Sequence, residues 1–137
     1  MLKIFCDGGA RGNPGPAASA FVVLNSSGQE IYSQGIYLGK ATNNQAEYQA
    51  VVAAFHWLSS HRPESVSSVA FYLDSELIVR QLTGVYKIKD LTLRQLAQQI
   101  HALLIKMNSL SVTFHHIPRS QNSVADALVN ATLDAQV

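Results

Sequence analysis

A chain of 137 residues, 47% hydrophobic and 14% charged, has the size and composition of one folded domain spanning 1–137, which excludes a disordered tail. The formal net charge of +1 gives no sign of an electrostatic nucleic-acid binder, and the single cysteine excludes an intrachain disulfide and a Cys-based zinc site. The first residues lack a signal segment and no window is apolar enough to span a bilayer. We therefore expect a soluble, unprocessed, cytoplasmic protein with no membrane partner.

The first third of the chain is predicted to form three strands. Leu2–Cys6 is an apolar run that stops at Asp7-Gly8-Gly9, Ala17–Leu24 is a second run that stops at a turn sequence, and Glu30–Leu38 is a third that Gly39 closes. The short connections between these strands favour an antiparallel meander.

Helical and strand patterns alternate along the rest of the chain. The predicted elements are a helix from Asn44 to about Ser60, a strand at Val69–Leu73, a short helix at Ser75–Leu82, a longer helix capped by Asp90 and ending near Asn108, a strand at Leu110–Ile117, and a last helix opened by Ser123. This order predicts an α/β domain with a five-stranded mixed sheet, flanked by helices. The meander forms one side of the sheet and parallel crossover strands form the other.

Four acidic residues stand where functional groups tend to collect. Asp7 and Asp74 each end an apolar strand, which places them at the rim of the sheet, where α/β proteins bind ligands. Glu47 shares the apolar face of its helix, where a carboxylate is costly unless it is paired or metal-bound. Asp126 lies within the first turn of the last helix and is a fourth candidate.

Each of these carboxylates also has an ordinary structural explanation. Asn44-x-x-Glu47 and Ser123-x-x-Asp126 both match a capping box. Asp74 can be the N-cap of the helix that follows it, and Asp7-Gly8 is a common turn sequence. Spacing by itself therefore does not define a metal site.

Longer segments around the four carboxylates favour the metal-binding role over the structural one. They are FCDGGARGNPGP from Phe5, ATNNQAEYQAVVAA from Ala41, YLDSELIVRQL from Tyr72 and PRSQNSVADALVNA from Pro118. In this order they resemble the characteristic blocks of type 1 ribonuclease H, and the resemblance covers nearly the whole chain. DGGxxGNPG and TNNxxE are family-specific signatures, whereas N-x-x-AD-x-L is weaker by itself. The resemblance implies the RNase H-like fold and hydrolysis of the RNA strand of RNA/DNA hybrids, leaving 5′-phosphate and 3′-hydroxyl ends.

The resemblance also implies a metal centre. Asp7, Glu47, Asp74 and Asp126 would together hold two Mg²⁺ ions, with Mn²⁺ left open as the ion used. Hard Mg²⁺ prefers carboxylates and water, and two ions about 3.5–4 Å apart can activate the attacking water and stabilise the leaving 3′ oxygen. Without metal, four crowded carboxylates should repel one another and hold protons abnormally well.

The family-specific blocks also imply contacts with the hybrid. Asn13, Asn44 and Gln45, with backbone groups nearby such as Gly8, are expected to reach its minor groove. An amide both donates and accepts, so it can bond the 2′-hydroxyl that distinguishes an RNA strand from a DNA strand. Turn or cap roles remain open for the asparagines.

The connection between the two middle helices departs from many relatives. These carry a basic protrusion there, whereas this chain has only a short segment that contains Lys87 and Lys89. The sequence thus resembles the short branch without the protrusion, and affinity for long hybrids should be modest. The two lysines are either phosphate contacts or a solvated pair.

An auxiliary catalytic residue is expected near the last block. Several relatives place a histidine ten positions before the last aspartate, and His116 has that spacing. However, His116 falls in a strand-like segment with His115, where one side chain should face inward and the other outward. Arg119 heads the following loop and is the favoured residue. Glu76, where some relatives have a glutamine that contacts nucleic acid, keeps an open role.

Two other functions compete with a free-standing, monomeric endonuclease. One is the ribonuclease H module of a reverse transcriptase or retroelement, but nothing in the sequence resembles a polymerase domain or connection segment. The other is a catalytically inactive hybrid-binding module. Loss of an acidic ligand would be its signature, and all four carboxylates are present.

Overall fold

A computed structural model describes residues 1–136. The strands and helices in chain order are β1 Leu2–Ala10, β2 Gly15–Leu24, β3 Glu30–Ala41, α1 Asn43–His61, β4 Ser68–Leu73, α2 Glu76–Leu82, α3 Leu91–Lys106, β5 Ser111–His116 and α4 Ser123–Asp134, with a 3₁₀ turn at Arg119–Gln121 before α4. The number and order of strands and helices are those predicted from the sequence.

The five strands form one mixed sheet in the order β3-β2-β1-β4-β5. β1 pairs antiparallel with β2, and β2 with β3, whereas β4 runs parallel to both β1 and β5. This arrangement confirms the RNase H-like α/β fold, with the meander on one side and the crossover strands on the other.

Helices cover both faces of the sheet. The main core lies beneath α1 and α3, where Phe55 of α1 stacks on Phe71 of β4 with ring centroids 4.8 Å apart. On the opposite face, Val129 and Leu133 of α4 pack against small side chains of β2, among them Ala18. Because the residues beneath α4 are small alanines, this helix can pack close to the sheet.

Three strands extend at least two residues further than the sequence predicts, and β2 is one of them because it begins at Gly15 instead of Ala17. β1 continues through Asp7-Gly8-Gly9 to Ala10, because these residues pair with Ala17–Ala20 of β2, and β3 continues past Gly39 to Ala41. Hydrogen bonds in the ladder here outweigh the weak strand propensity of glycine. None of the described helices has the length and apolar character required to cross a membrane.

Candidate active site

Asp7 and Asp74 lie side by side because β1 and β4 run parallel. The last residues paired between these strands are Cys6 and Leu73, and the next residue on each is an aspartate. Asp7 is not the final residue of its strand, as the sequence predicted, but it does stand where the pairing with β4 ends. Asp7 is only 4% exposed, whereas Asp74 is half-buried.

Glu47 reaches the two aspartates from α1 because this helix lies unusually close to β1. A Cβ atom on Gly8 would overlap the backbone of Ala46 and Glu47, so only glycine permits this approach. The buried hydroxyl of Ser19 donates to the carbonyl oxygen of Ala46 at 2.6 Å and fixes the same stretch of helix against β2. The result is a glutamate that is 7% exposed beside the end of β1.

The three carboxylates form a compact set of possible metal ligands. One oxygen each of Asp7, Glu47 and Asp74 lies within 4.8 Å of the others. Glu47 Oε2 is buried and has no hydrogen-bond partner within residues 1–136. A divalent cation would satisfy this oxygen and balance the crowded charge, so the residues present fit a bound metal.

Capping does not explain these carboxylates. Helix α1 is capped by a box between Thr42 and Gln45, not by Asn44 and Glu47. Ser75, not Asp74, caps α2 by accepting from the N–H of Ile78 at 3.3 Å. The first turn of α4 has Asn122 at its N-cap position and no side-chain cap, so the expected pairing of Ser123 with Asp126 does not form. Asp7 lies within a strand and not in a turn. None of the four carboxylates therefore has the capping or turn role that the sequence allowed.

Burial and mutual repulsion raise the proton affinity of this cluster. Burial, with the nearby charges of Asp74 and Asp126, raises the pKa of Asp7 to about 7. Burial also raises the pKa of Glu47 well above its usual range, reinforced by Asp7 and Asp74, while Arg119 opposes this increase. The abnormal proton retention expected for crowded carboxylates without metal is therefore present.

The raised pKa of Asp7 predicts that metal-free stability falls as pH rises. An unfolded aspartate releases its proton near pH 3.8, whereas folded Asp7 holds it to about pH 7. Between these values the folded state binds more protons, so unfolding becomes easier at higher pH. Thermal unfolding in chelator should show a smaller loss between pH 5 and pH 8 for Asp7→Asn than for the wild type. An identical pH dependence of the two proteins would contradict this prediction.

The carboxylates line an open cleft of about 410 Å³ that also contains Asp126 and Arg119. Asp126 lies in the first turn of α4, outside the compact set of three, and its charge still acts on Asp7. Arg119 is exposed at the start of the 3₁₀ turn, and its charge acts on Glu47. All four predicted acidic residues and the favoured arginine thus share one cleft.

His116 is not among the residues that line the cleft. Its Nδ1 lies 3.9 Å from Glu76 Oε2, and the other oxygen of Glu76 lies 3.6 Å from Arg80 Nε. His115 stacks on Tyr72 with ring centroids 5.3 Å apart. The two histidines are consecutive residues of β5, as predicted, but both side chains are exposed, so neither is buried in the core.

Two of the three amides expected to contact substrate also hold the local structure. Asn13 Oδ1 accepts from the N–H of Asn43 at 3.0 Å, and Gln45 Oε1 accepts from the N–H of Thr42 at 2.9 Å. Each amide keeps its NH₂ group as a donor. Asn44 is half-buried in the first turn of α1.

The two predicted lysines do not line the cleft, whereas two amides that were not predicted contact residues that do. Lys87 and Lys89 are exposed in the connection 83–90, which contains no helix or strand. Asn43 and Asn122 were missed by sequence reasoning: Asn43 Oδ1 accepts from the N–H of Ala10 at 2.8 Å, and Asn122 is buried beside Asp74. Both lie within the segments that resemble type 1 ribonuclease H, and this resemblance was the only feature of the sequence that could have indicated a functional role.

Comparison with known proteins gives relatives over nearly the whole chain. The family described as "Reverse transcriptase-like" matches residues 5–132. Ribonuclease HI of Halobacterium salinarum is 39% identical over 133 residues, which cover 97% of this chain and 64% of that protein. A bifunctional protein of Mycobacterium tuberculosis is 35% identical over 98% of this chain and 36% of its own length. The chain therefore spans less than two thirds of these curated relatives.

Two solved structures match over nearly the full length of both chains. LC11-RNase H1, isolated from compost and crystallised in complex with an RNA/DNA hybrid, superposes with a TM-score of 0.91 at 37% identity over 99% of each chain. RNase H1 from the halophilic archaeon Halobacterium salinarum superposes with a TM-score of 0.88 at 35% identity over 98% of each. With its fold, its carboxylate cluster and these relatives, the chain belongs to the type 1 ribonuclease H family.

Proposed function

We propose that this protein is a metal-dependent endonuclease that hydrolyses the RNA strand of RNA/DNA hybrids and leaves 5′-phosphate and 3′-hydroxyl ends. The observation that carries the proposal is the convergence of Asp7, Glu47 and Asp74 within 4.8 Å in an open cleft. LC11-RNase H1, whose structure contains an RNA/DNA hybrid, is 37% identical over nearly all of both chains.

The proposed metal ligands are the three clustered carboxylates together with Asp126. They would hold two Mg²⁺ ions, with Mn²⁺ as the alternative, because hard divalent cations favour sets of carboxylate oxygens. When bound, such ions activate water and neutralise negative charge on the leaving oxygen. Asp7 and Glu47 must lose their protons to act as ligands, and their raised pKa values make metal binding weaker at low pH.

Four further residues would bind and orient the hybrid. Arg119 supplies a fixed positive charge near the scissile phosphate. Lys87 and Lys89 are exposed and free to contact phosphates farther along the duplex. The backbone at Gly8 lies at the cleft and is available to the RNA strand. We propose that a single domain, residues 1–137, acts as a monomer, since all the proposed ligands come from one chain.

One assay tests the proposed function directly. End-labelled RNA/DNA hybrid, DNA duplex and RNA duplex are incubated with the protein in Mg²⁺, in Mn²⁺ and in excess chelator. We expect cleavage of the hybrid alone, within the RNA strand and only with metal. Cleavage in chelator, or failure to cleave the hybrid with either metal, would exclude a metal-dependent ribonuclease H.

Selection of the RNA strand should depend on its 2′-hydroxyls. The free NH₂ groups of Asn13 and Gln45, with the amide of Asn44, are the proposed contacts near the cut site. A hybrid whose RNA strand carries a short central deoxy patch should resist cleavage inside the patch and still be cut on both sides of it. Mapping of the products on a sequencing gel checks this expectation. Uniform cutting through the patch would show that the hydroxyls do not select the strand.

Arg119, not His116, should be the auxiliary catalytic residue. Arg119 lines the cleft and acts electrostatically on Glu47, whereas His116 lies beside Glu76. Arg119→Ala should reduce turnover by roughly 10- to 10³-fold, as expected for loss of an electrostatic assistant. His116→Ala should cost little.

We would compare Arg119→Ala with His116→Ala by measuring their single-turnover and steady-state rates on one hybrid at low salt. A severe defect in His116→Ala beside a near-normal Arg119→Ala would reverse the assignment.

A further inference from the structure

One amide outside the carboxylate cluster joins two strands of the cleft. Asn122 stands between the 3₁₀ turn and α4, and only 1% of its surface is exposed. Its Nδ2 donates to the carbonyl oxygen of Cys6 at 2.8 Å and to Oδ2 of Asp74 at 3.2 Å. A buried donor therefore ties Cys6, the last residue of β1 that pairs with β4, to the carboxylate that follows β4.

The backbone of Asn122 contacts two more cleft segments. Its N–H donates to the carbonyl oxygen of Arg119 at 3.0 Å, and its carbonyl oxygen accepts from the N–H of Asp126 at 3.1 Å. Asn122 is thus bonded through its side chain to Asp74 and to the residue that precedes Asp7, and through its backbone to the main chain of Arg119 and Asp126. The side chain therefore holds the Asp74 carboxylate against the main chain of β1, at the start of the helix that carries Asp126.

The amide orientation of Asn122 is set by its neighbours. Both groups facing Nδ2 are oxygen acceptors, so a flipped amide would place oxygen against oxygen. Oδ1 is buried without a hydrogen-bond partner within residues 1–136, and the side chain makes no capping bond to α4. An unsatisfied buried acceptor destabilises a fold, which argues that the residue is kept for what its NH₂ group holds.

We propose that Asn122 is a positioning residue whose side-chain amide holds the Asp74 carboxylate beside β1, in the arrangement required for metal binding. The inference rests on the proposed metal-dependent function. Groups that hydrogen-bond metal-ligating side chains orient those ligands, and their loss typically costs roughly 10- to 100-fold in metal affinity or activity.

Two variants separate positioning from a packing role. Asn122→Asp keeps the size of the side chain and remains favourable at an N-cap position, but it replaces the donor with an oxygen that faces two acceptors. Asn122→Ala removes the donor altogether. Asn108→Asp is the matched control, because it makes the same change of charge at an exposed turn after α3.

The measurements are the metal-free melting temperature, its rise with added Mg²⁺, and the dependence of hybrid cleavage on Mg²⁺ concentration. For Asn122→Asp and Asn122→Ala we expect a diminished Mg²⁺-induced rise, a half-maximal Mg²⁺ concentration increased roughly 10-fold or more, and a lower kcat with little change in KM for the hybrid. The Asn108→Asp protein should match the wild type in all three.

The outcomes distinguish this inference from the proposed function. A wild type that shows neither Mg²⁺ stabilisation nor metal-dependent cleavage would refute the proposed function. A wild type that shows both, beside an Asn122→Asp protein with the same Mg²⁺ dependence, would overturn only the positioning role. Failure of both Asn122 variants to fold, or an effect confined to the metal-free melting temperature, would assign Asn122 to the fold alone.

Discussion

Replacement of Asp74 by asparagine should reduce hybrid cleavage by about 10³-fold or more, equivalent to several kcal/mol of transition-state stabilisation. The change preserves the shape of the side chain and removes the charge that a divalent cation requires. Asp7→Asn and Glu47→Gln should have effects of the same order, because the three carboxylates act as one set. Single-turnover rates at saturating Mg²⁺, with Mg²⁺ binding followed by calorimetry, measure the loss.

A matched control shows whether the loss is specific to the cluster. Asp90→Asn makes the same substitution at the N-cap of α3, where aspartate accepts from the N–H of Leu93 at 2.9 Å and asparagine is an equally good cap. This protein should cleave as the wild type does. Asp7→Asn should in addition raise the metal-free melting temperature near neutral pH, because burial and repulsion oppose its charge. Strong activity in Asp74→Asn would remove the basis for the proposed metal centre.

The fold was predictable because its determinants are local. Apolar runs mark the strands, a change of period marks the helices, and the alternation of strand and helix in the second half requires parallel crossovers. The strand ends were less accurate. Asp7-Gly8-Gly9 has the composition of a turn, yet it pairs with β2 because the partner strand is available in the folded protein.

The site was predictable in its residues but not in the contacts that assemble it. Asp7 and Asp74 could be placed at the rim because each follows an apolar run, and the pairing of the parallel strands β1 and β4 ends just before both residues. The hydrogen bond between Asn122 and Cys6 spans 116 positions of the sequence, so no local pattern indicates it. The capping roles of Thr42 and Ser75 also depend on where each helix begins, which a pattern defines only to within a residue or two.

Gly8 is the residue on which the approach of Glu47 to Asp7 depends. Its backbone lies against the Ala46–Glu47 peptide so closely that any side chain would overlap helix backbone, which cannot move aside as a flexible side chain can. The neighbouring Gly9 is different, since an added Cβ there would meet Val129 Cγ1 at 3.8 Å, an ordinary contact distance. Replacement by alanine therefore causes a steric conflict at Gly8 and none at Gly9, so Gly9→Ala is the matched control.

Gly8→Ala should displace α1 from β1 and carry Glu47 away from the other ligands. We expect a loss of cleavage of about 10²-fold or more, since misplacement of a catalytic group by about 1 Å can cost that much. Overpacking should also lower the free energy of unfolding by about 1–3 kcal/mol. Gly9→Ala should remain near the wild type in stability and in Mg²⁺ binding. Chemical denaturation, Mg²⁺ calorimetry and single-turnover rates compare the two. Equal behaviour of the two variants would show that the position of α1 does not depend on the missing side chain of Gly8.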